Sequence, residues 1–345
     1  MSAVICRSET AIGDGRSGGS FRWRWFRGAA SIGAPACNGA GSVSQRRLPL
    51  AKRLLQLAEG AALLLLWLPV RLMPIDWASA LGGRFTRTLG PWLPVSDIGR
   101  RNLRRAFPDK NEAEIERILR GVWENLGRYA LEYPHLKRIW DYAAEPGRPG
   151  RIEVAGVDHF IRLRDDGKPA LIFAAHLGNW ELLPVAAARH GLPVTVLYRA
   201  PNNPIAAHLL ERVRRDAMGE LLSTGVHTAL AAVEVIERGG HLGMLVDQHS
   251  RFGPVVPFFG SPVRAAALLA KLARRYQCPL HGARVERLGG ARFRATLTPP
   301  IPVPVTEHAA ADIEAIMAEV TTIIEGWVRE RPEQWLWLHR RWRSE

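Results

Sequence analysis

Short apolar runs alternate with stretches of helical composition from residue 150 onward, and this alternation constrains the fold more than any other feature of the chain. The apolar runs predict strands at Ile152–Ala155, Leu171–Ala175, Val194–Tyr198, Leu242–Val246, Leu280–Val285 and Phe293–Leu297. The intervening stretches predict helices at Glu181–Ala188, Ile205–Met218, Thr228–Glu237 and Val263–Tyr276, with a last helix over about residues 310–331. Strands that alternate with helices favour an α/β fold, in which a mostly parallel sheet is flanked by helices.

Composition and helix-breaking residues divide the chain into four predicted segments. Residues 1–48 are rich in Gly, Ser and Arg, which favours a disordered basic extension. Residues 49–75 carry an apolar helix, and residues 76–149 form a basic helical lead-in. The Pro- and Gly-rich stretch Glu145–Gly150 then separates this lead-in from an α/β domain at residues 150–345.

The apolar helix is the one candidate for membrane attachment. Leu54–Met73 has 20 residues, and a helix of that length is about 30 Å long, the thickness of the hydrocarbon core of a bilayer. Its uninterrupted apolar part is only Ala61–Val70, which contains Pro69 and has cations on both sides. We predict attachment through this segment, either as one short transmembrane helix or as a helix that lies in the interface.

The charge of the chain predicts a polyanionic partner. Its 47 basic and 33 acidic residues give a net charge of +14, which suits nucleic acid, anionic lipid, a phosphorylated substrate or an acidic carrier protein. The three cysteines, Cys6, Cys37 and Cys278, are scattered and odd in number, which predicts reduced thiols in a protein that faces the cytosol. Since their spacing does not match a metal site, we expect no structural zinc.

The hexapeptide HLGNWE at residues 176–181 indicates the chemistry. It predicts a strand end, a tight turn at Gly178 and Asn179, and the first turn of a helix. His176 then lies at the carboxyl end of a buried strand, where open α/β sheets bind ligands. We expect Glu181 to reach back to the imidazole, fix its tautomer and make the other ring nitrogen a better base. The predicted chemistry is deprotonation of a hydroxyl that attacks an acyl carbonyl.

The spacing of histidine and acid is not specific by itself, because His281 and Glu286 repeat it. That second pair falls in a predicted strand, where side chains five residues apart point to opposite faces. We therefore interpret the second pair as structural.

Three further stretches follow predicted strands, at the sheet edge where site residues are expected. Arg199 enters a Pro- and Asn-rich loop, where a guanidinium is either an anion clamp or an exposed side chain. Asp247 directly follows an apolar run, and it either orients a cation or caps the next element. Phe258 and Phe259 lie beside Gly and Pro, which is typical of a rigid apolar wall for an acyl chain or of ordinary core.

In this order, the motifs HLGNWE, YRAPNNP, VDQ and PFFG and the closing PEQWLWLHRRW resemble the lipid A biosynthesis acyltransferases over about residues 50–343. The resemblance implies a glycerolipid-acyltransferase-like fold in which His176 is the general base and Glu181 orients it. It also implies an Arg-x3-Gly motif, matched by Arg215 and Gly219, with Arg212 and Arg214 as alternatives for the arginine. The substrate-binding candidates that it implies are Gly178, Asn179, Arg199, Asn203, Arg215, Asp247, Phe258 and Phe259.

The resemblance further implies the substrates and the location. The donor would be an acyl-acyl carrier protein, and the acceptor a hydroxyl of a lipid A precursor, with no cofactor, metal or nucleic acid. The location would be the inner membrane, with the catalytic domain facing the cytoplasm. Two alternatives stay open: an acyltransferase for another glycolipid, such as a phosphatidylinositol mannoside, and a non-catalytic basic protein that binds membrane or nucleic acid.

Overall fold

A computed structural model describes residues 50–142, 150–201, 203–225 and 227–342, all within one compact unit, Pro49–Glu345. The predicted extension at residues 1–48 lies outside the described residues, as does most of the predicted linker at 145–150. The first part is helical, as the sequence predicts. Its helices are α1 (Leu50–Leu72), α2 (Ile75–Leu89), α3 (Ser96–Ala106), α4 (Glu112–Glu132) and α5 (Leu136–Ile139).

The prediction of a helix at Leu54–Met73 is confirmed by α1. However, none of the helices in the described parts of the chain is long and apolar enough to cross a membrane. The predicted transmembrane helix is therefore unsupported, since Glu59 and Arg71 limit the apolar stretch and Pro69 lies within it.

The second part of the chain alternates strands and helices. Its strands are β1 (Ile152–Ala155), β2 (Ala170–Ala174), β3 (Val194–Tyr198), β4 (Leu221–Ser223), β5 (His241–Leu245), β6 (Val255–Phe258), β7 (Ser261–Arg264), β8 (Leu280–Gly289) and β9 (Arg292–Pro300). Its helices are α6 (Val157–Asp165), α7 (Leu182–Arg189), α8 (Pro204–Met218), α9 (Thr228–Glu237), α10 (Leu268–Tyr276) and α11 (Ala309–Glu330).

A seven-stranded sheet in the order β1-β9-β8-β2-β5-β3-β4 forms the centre of this part. Every pairing in it is parallel except that of β8 with β9, which confirms the predicted mostly parallel sheet. The lead-in is continuous with this core, because Leu119 and Trp123 of α4 belong to the same buried cluster as Phe173 of β2 and Trp327 of α11.

One predicted helix, Val263–Tyr276, begins too early. The structure has a hairpin of β6 and β7 there, and α10 begins only at Leu268. Phe259 and Gly260 form the two-residue connection with φ of 51° and 68°. Two-residue hairpin loops favour positive φ, but Asn-Gly or Asp-Gly usually marks them. A phenylalanine in the first position hides that signal.

Candidate active site

The parallel register of β2 and β5 brings His176 to Asp247. Ala174 is paired with Leu245 at the ends of the two strands, and each site residue lies two positions beyond its strand. The Nδ1 atom of His176 lies 2.7 Å from Oδ1 of Asp247, and the backbone N–H of His176 donates to Oδ2 at 2.8 Å. The carboxylate thus fixes the tautomer in which Nδ1 carries the proton, leaving Nε2 as a base.

Asp247 is almost completely buried, and its remaining contacts hold it as a carboxylate. The indole N–H of Trp335 donates to Oδ2 at 2.8 Å. Burial raises the pKa of Asp247, but attraction to His176 and hydrogen bonds from it outweigh burial, so the net pKa lies well below its usual range. The acid is therefore charged at any physiological pH.

The expected contact between Glu181 and His176 is wrong. The carboxylate of Glu181 accepts from Tyr129 at 3.1 Å and from two nitrogens of Arg214 at 2.5 and 3.2 Å. The reason is the backbone conformation. Glu181 has helical φ and ψ at the start of α7, and its side chain is buried among groups from α4 and α8. Asp247 holds the position next to the imidazole instead.

Glu181 is linked to His176 indirectly, through contacts between the rings of Tyr129 and Trp180. Its partner Tyr129 stacks on Trp180 with 4.2 Å between centroids, and Trp180 meets the imidazole edge to face at 5.0 Å. Burial lowers the pKa of Arg214, but attraction to Glu181 and hydrogen bonds with it outweigh burial and raise that pKa above its ordinary value. Glu181 and Arg214 therefore form a fixed ion pair, and both line the cavity described below.

The turn that follows His176 requires glycine and is held by buried polar groups. Gly178 has φ of +60°, and a Cβ there would lie 2.2 Å from the carbonyl oxygen of Val285. Asn179 is fully buried and donates to Glu132 at 2.8 Å, and Glu132 also binds Arg287. Gly178 and Asn179 thus position the turn, and neither lines the cavity described next.

An apolar cavity of about 660 Å³ opens beside His176. Its floor is the sheet, where small residues leave room: Ala174, Gly243, Ala283 and Ala295. Its walls come from α6 and α7, and it extends toward the amino end of β3. There Trp140 donates to Nε2 of His190 at 2.9 Å, and burial lowers the pKa of His190, which keeps this ring neutral. The cavity is of the size and character that bind a small apolar ligand.

The other predicted site residues lie in different parts of the structure, and only some of them line the cavity. Arg199 is exposed and lines the cavity. Asn203 caps α8 by accepting from Ile205 at 3.0 Å, and its amide donates to Glu59 of α1 at 2.9 Å. The side chain of Arg215 is 70% exposed and pairs with Glu211, outside the cavity lining, so the alternative Arg214 is the arginine at the site.

Phe258 and Phe259 are core residues in the structure. Both are buried in the main hydrophobic cluster, and neither lines the cavity. The ring of Phe258 packs against the rings of Trp335 and Trp342, with 5.6 and 5.5 Å between centroids. Phe258 and Phe259 therefore support the site as part of the core. The cavity is lined instead by the sheet floor, α6 and α7, together with residues of α4 and α8.

Two residues near His176 were not identified from the sequence. Gln248 follows Asp247, lines the cavity and has its amide nitrogen 3.4 Å from Nε2 of His176. Trp335 reaches the site because Leu177 forms a bridge with it and Leu336 donates its backbone N–H to the carbonyl of His176 at 3.1 Å. Gln248 belongs to the motif VDQ and Trp335 to the closing motif PEQWLWLHRRW, but neither pattern shows that its residue lies beside His176. Among the described residues, no group of three or more His, Cys, Asp or Glu side chains could hold a metal ion.

The fold and the site define an α/β protein with a hydrogen-bonded His176–Asp247 pair at the mouth of an apolar cavity. The sequence profile of the bacterial lipid A biosynthesis acyltransferases matches residues 50–344. The chain belongs to this family and is an acyltransferase, which confirms the resemblance seen in the sequence. The non-catalytic alternative is thereby excluded.

Three relatives from Escherichia coli K12 illustrate the similarity. The lipid A biosynthesis palmitoleoyltransferase is 25% identical over 289 residues, which cover 81% of this chain and 89% of the relative. The lauroyltransferase is 25% identical over 261 residues, covering 72% and 78%. The myristoyltransferase is 22% identical over 245 residues, covering 69% and 72%. The three names share the lipid and differ in the acyl group.

Proposed function

We propose that the chain transfers a fatty acyl group from an acyl-acyl carrier protein to a hydroxyl of a lipid A precursor. The observation that carries this proposal is the His176–Asp247 pair at the mouth of the apolar cavity. A thioester is already activated, so the reaction needs a base, a donor for the oxyanion and accurate positioning of both substrates.

In the proposed mechanism, Nε2 of His176 removes the proton of the acceptor hydroxyl while the oxygen attacks the thioester carbonyl. The charge of Asp247 stabilises the imidazolium that results, because Nδ1 already donates to that carboxylate. The tetrahedral intermediate then expels the thiolate, which takes the proton from Nε2 as it leaves. The side-chain amide of Gln248 is our candidate donor to the oxyanion.

We assign the cavity to the acyl chain. Its lining is mostly apolar: the sheet floor, α6 and α7 supply much of the interior, and His176 and Gln248 lie at the mouth. The hydrogen-bonded rings of Trp140 and His190 form its far end, beside Leu192 at the amino end of β3. An acyl chain that enters beside His176 would extend along the sheet toward these rings.

The charge of the protein suits both proposed substrates. An acyl carrier protein is acidic and a lipid A precursor carries phosphates, and both would be attracted to a chain of net charge +14. Arg199 is exposed at the cavity and is our candidate for a phosphate contact. We place the enzyme on the cytoplasmic side of the inner membrane, attached through α1, whose Leu65 and Leu72 are 75% and 78% exposed.

The test is mass spectrometry of lipid A from a Gram-negative host that lacks its own late acyltransferase and expresses this chain. We expect a lipid A species heavier by one acyl group. Arg215→Gln is the matched control and should give the same species, because Arg215 is exposed and outside the cavity. If membrane-localised protein adds no acyl mass to lipid A, the acceptor is another glycolipid, and a phosphatidylinositol mannoside would be examined next.

Glu181 is expected to act through stability and positioning. Glu181→Gln leaves the mostly buried guanidinium of Arg214 without its counter-charge, and we expect the free energy of unfolding to fall by about 3 kcal/mol. Turnover should fall about tenfold, less than on loss of the base. Denaturant unfolding and initial rates measure both, with Glu211→Gln as the control, because Glu211 also pairs with an arginine but lies outside the cavity lining. A loss of turnover as large as that of His176→Ala, at unchanged stability, would instead place Glu181 in the chemistry.

A further inference from the structure

Helix α2 has its large apolar side chains on the outside. Trp77, Leu81, Phe85 and Leu89 recur every four residues and are 69%, 52%, 63% and 49% exposed. Because residues four apart lie on one side of a helix, these side chains form a single stripe. Trp92 and Leu93, 83% and 47% exposed, continue it beyond the end of the helix. We call these six residues the α2 apolar face.

The inward side of α2 carries small residues instead. Ala78, Ser79, Gly82 and Gly83 are buried against α4, together with Ile75. A Cβ on Gly82 would lie 2.2 Å from the carbonyl oxygen of Gly127, so the two helices touch through their backbones. Small residues between helices and large apolar residues facing outward are the arrangement of helices whose surroundings are lipid.

The charges around the α2 apolar face suit an anionic surface. Arg84 is exposed on α2 itself, and the exposed Arg87 pairs with Glu124 of α4 at 2.9 Å. Asp76, the acidic residue of its first turn, is neutralised by two hydrogen bonds of 2.7 Å from Arg151. Asp97, which follows the face in sequence, pairs with Arg100 at 3.0 Å. Exposed cations beside tryptophan, phenylalanine and leucine are typical of a helix that lies in the interface of an anionic membrane.

We propose that the α2 apolar face is immersed in the headgroup and upper acyl region of a bilayer that contains anionic phospholipid. With 15 residues, α2 is about 22 Å long and would lie along the membrane surface. The inference extends the attachment proposed for α1 to a second helix. It rests on the exposure of the face and not on the catalytic assignment, so its failure would leave the acyl-transfer proposal untouched.

A fluorescent label on α2 tests the contact directly. The full chain carries Cys6→Ser and Cys37→Ser, with buried Cys278 retained, and Phe85→Cys is labelled with an environment-sensitive dye. Vesicles of phosphatidylcholine with phosphatidylglycerol should shift the emission to the blue, and a quencher on the lipid acyl chains should reduce it. The matched control is the same label at Glu319→Cys, which is exposed on α11 and should show neither change.

Each other outcome overturns the proposal. Failure of the protein to float with the vesicles, or flotation without a blue shift at position 85, would place the contact elsewhere or abolish it. A blue shift without vesicles that grows with protein concentration would assign the face to a second copy of the chain. A shift without vesicles that does not depend on concentration would mean that the chain itself covers the face.

Removal of the face provides a second measurement. The combined variant Trp77→Gln, Leu81→Gln, Phe85→Gln and Leu89→Gln should partition into the anionic vesicles at least about tenfold less, since interfacial affinity scales with the apolar area immersed. Its unfolding transition should be retained, because these side chains point outward. Leu230→Gln with Val305→Gln, 65% and 49% exposed before substitution and outside the face, should leave partitioning unchanged. Unchanged partitioning of the combined variant would contradict the proposal.

Discussion

Asp247→Asn is expected to lower turnover by about 10³- to 10⁴-fold, the loss that follows when a catalytic histidine is left without its carboxylate. The asparagine keeps the shape of the side chain, and its oxygen can still accept from the backbone N–H of His176 and from Trp335. It removes the charge that stabilises the imidazolium, and its amide N–H₂ facing Nδ1 favours the tautomer that puts the proton on Nε2. The variant should therefore fold and bind substrates but fail as a base.

The measurement is the initial rate of acyl transfer by folded protein, with the melting temperature as a check on integrity. Asp312→Asn is the matched control. Asp312 is also a buried acid, and it accepts from Arg274 at 2.7 Å and from Thr306 at 2.8 Å, but it lies outside the cavity lining. We expect this control to lower stability and leave turnover of folded protein unchanged. Turnover of Asp247→Asn within about threefold of the parent would remove Asp247 from the mechanism.

The sequence predicted where individual strands lie far better than which strands pair with each other in the sheet. A buried strand produces a run of apolar residues that can be read directly from the sequence. For this reason the predicted bounds of β2, β3 and β5 are within one residue of the observed bounds. The helix α6 was missed because VDHFIRLRD is mostly polar and only Leu163 is buried. Its contribution to the cavity wall therefore had no signal in the apolar pattern.

The pairing in the site shows why local patterns are insufficient. His176 and Asp247 were both identified as strand-end residues, yet they are 71 positions apart in the chain. Their contact depends on β2 lying next to β5 in the sheet, which the order of strands along the chain does not specify. Glu181 was expected next to the histidine because it is near in sequence. Neighbouring strands in a parallel sheet are joined by long crossover connections, so residues that meet at the sheet edge are far apart in the sequence. Proximity along the chain therefore did not identify the partner of His176.

His176→Ala is expected to lower turnover by about 10²- to 10⁴-fold, the usual contribution of a general base. The fold should persist, because Asp247 keeps two donors, the backbone N–H of residue 176 and the indole of Trp335, at 2.8 Å each. Rates with saturating acyl donor and lipid acceptor measure the loss, and circular dichroism checks the fold. Added imidazole should restore part of the activity, because the truncated side chain leaves space for it at the mouth of the cavity.

The second histidine of the His-x4-acid pattern provides the control. His281 lies in β8, bonds through Nδ1 to the carbonyl of Thr298 at 2.8 Å, and does not line the cavity. We expect His281→Ala to lower stability and to leave turnover of the folded fraction unchanged, without any response to imidazole. Near-normal turnover in His176→Ala would assign the base to another group. A loss in both variants without rescue would mean that both histidines are structural, so the experiment separates loss of the base from loss of the fold.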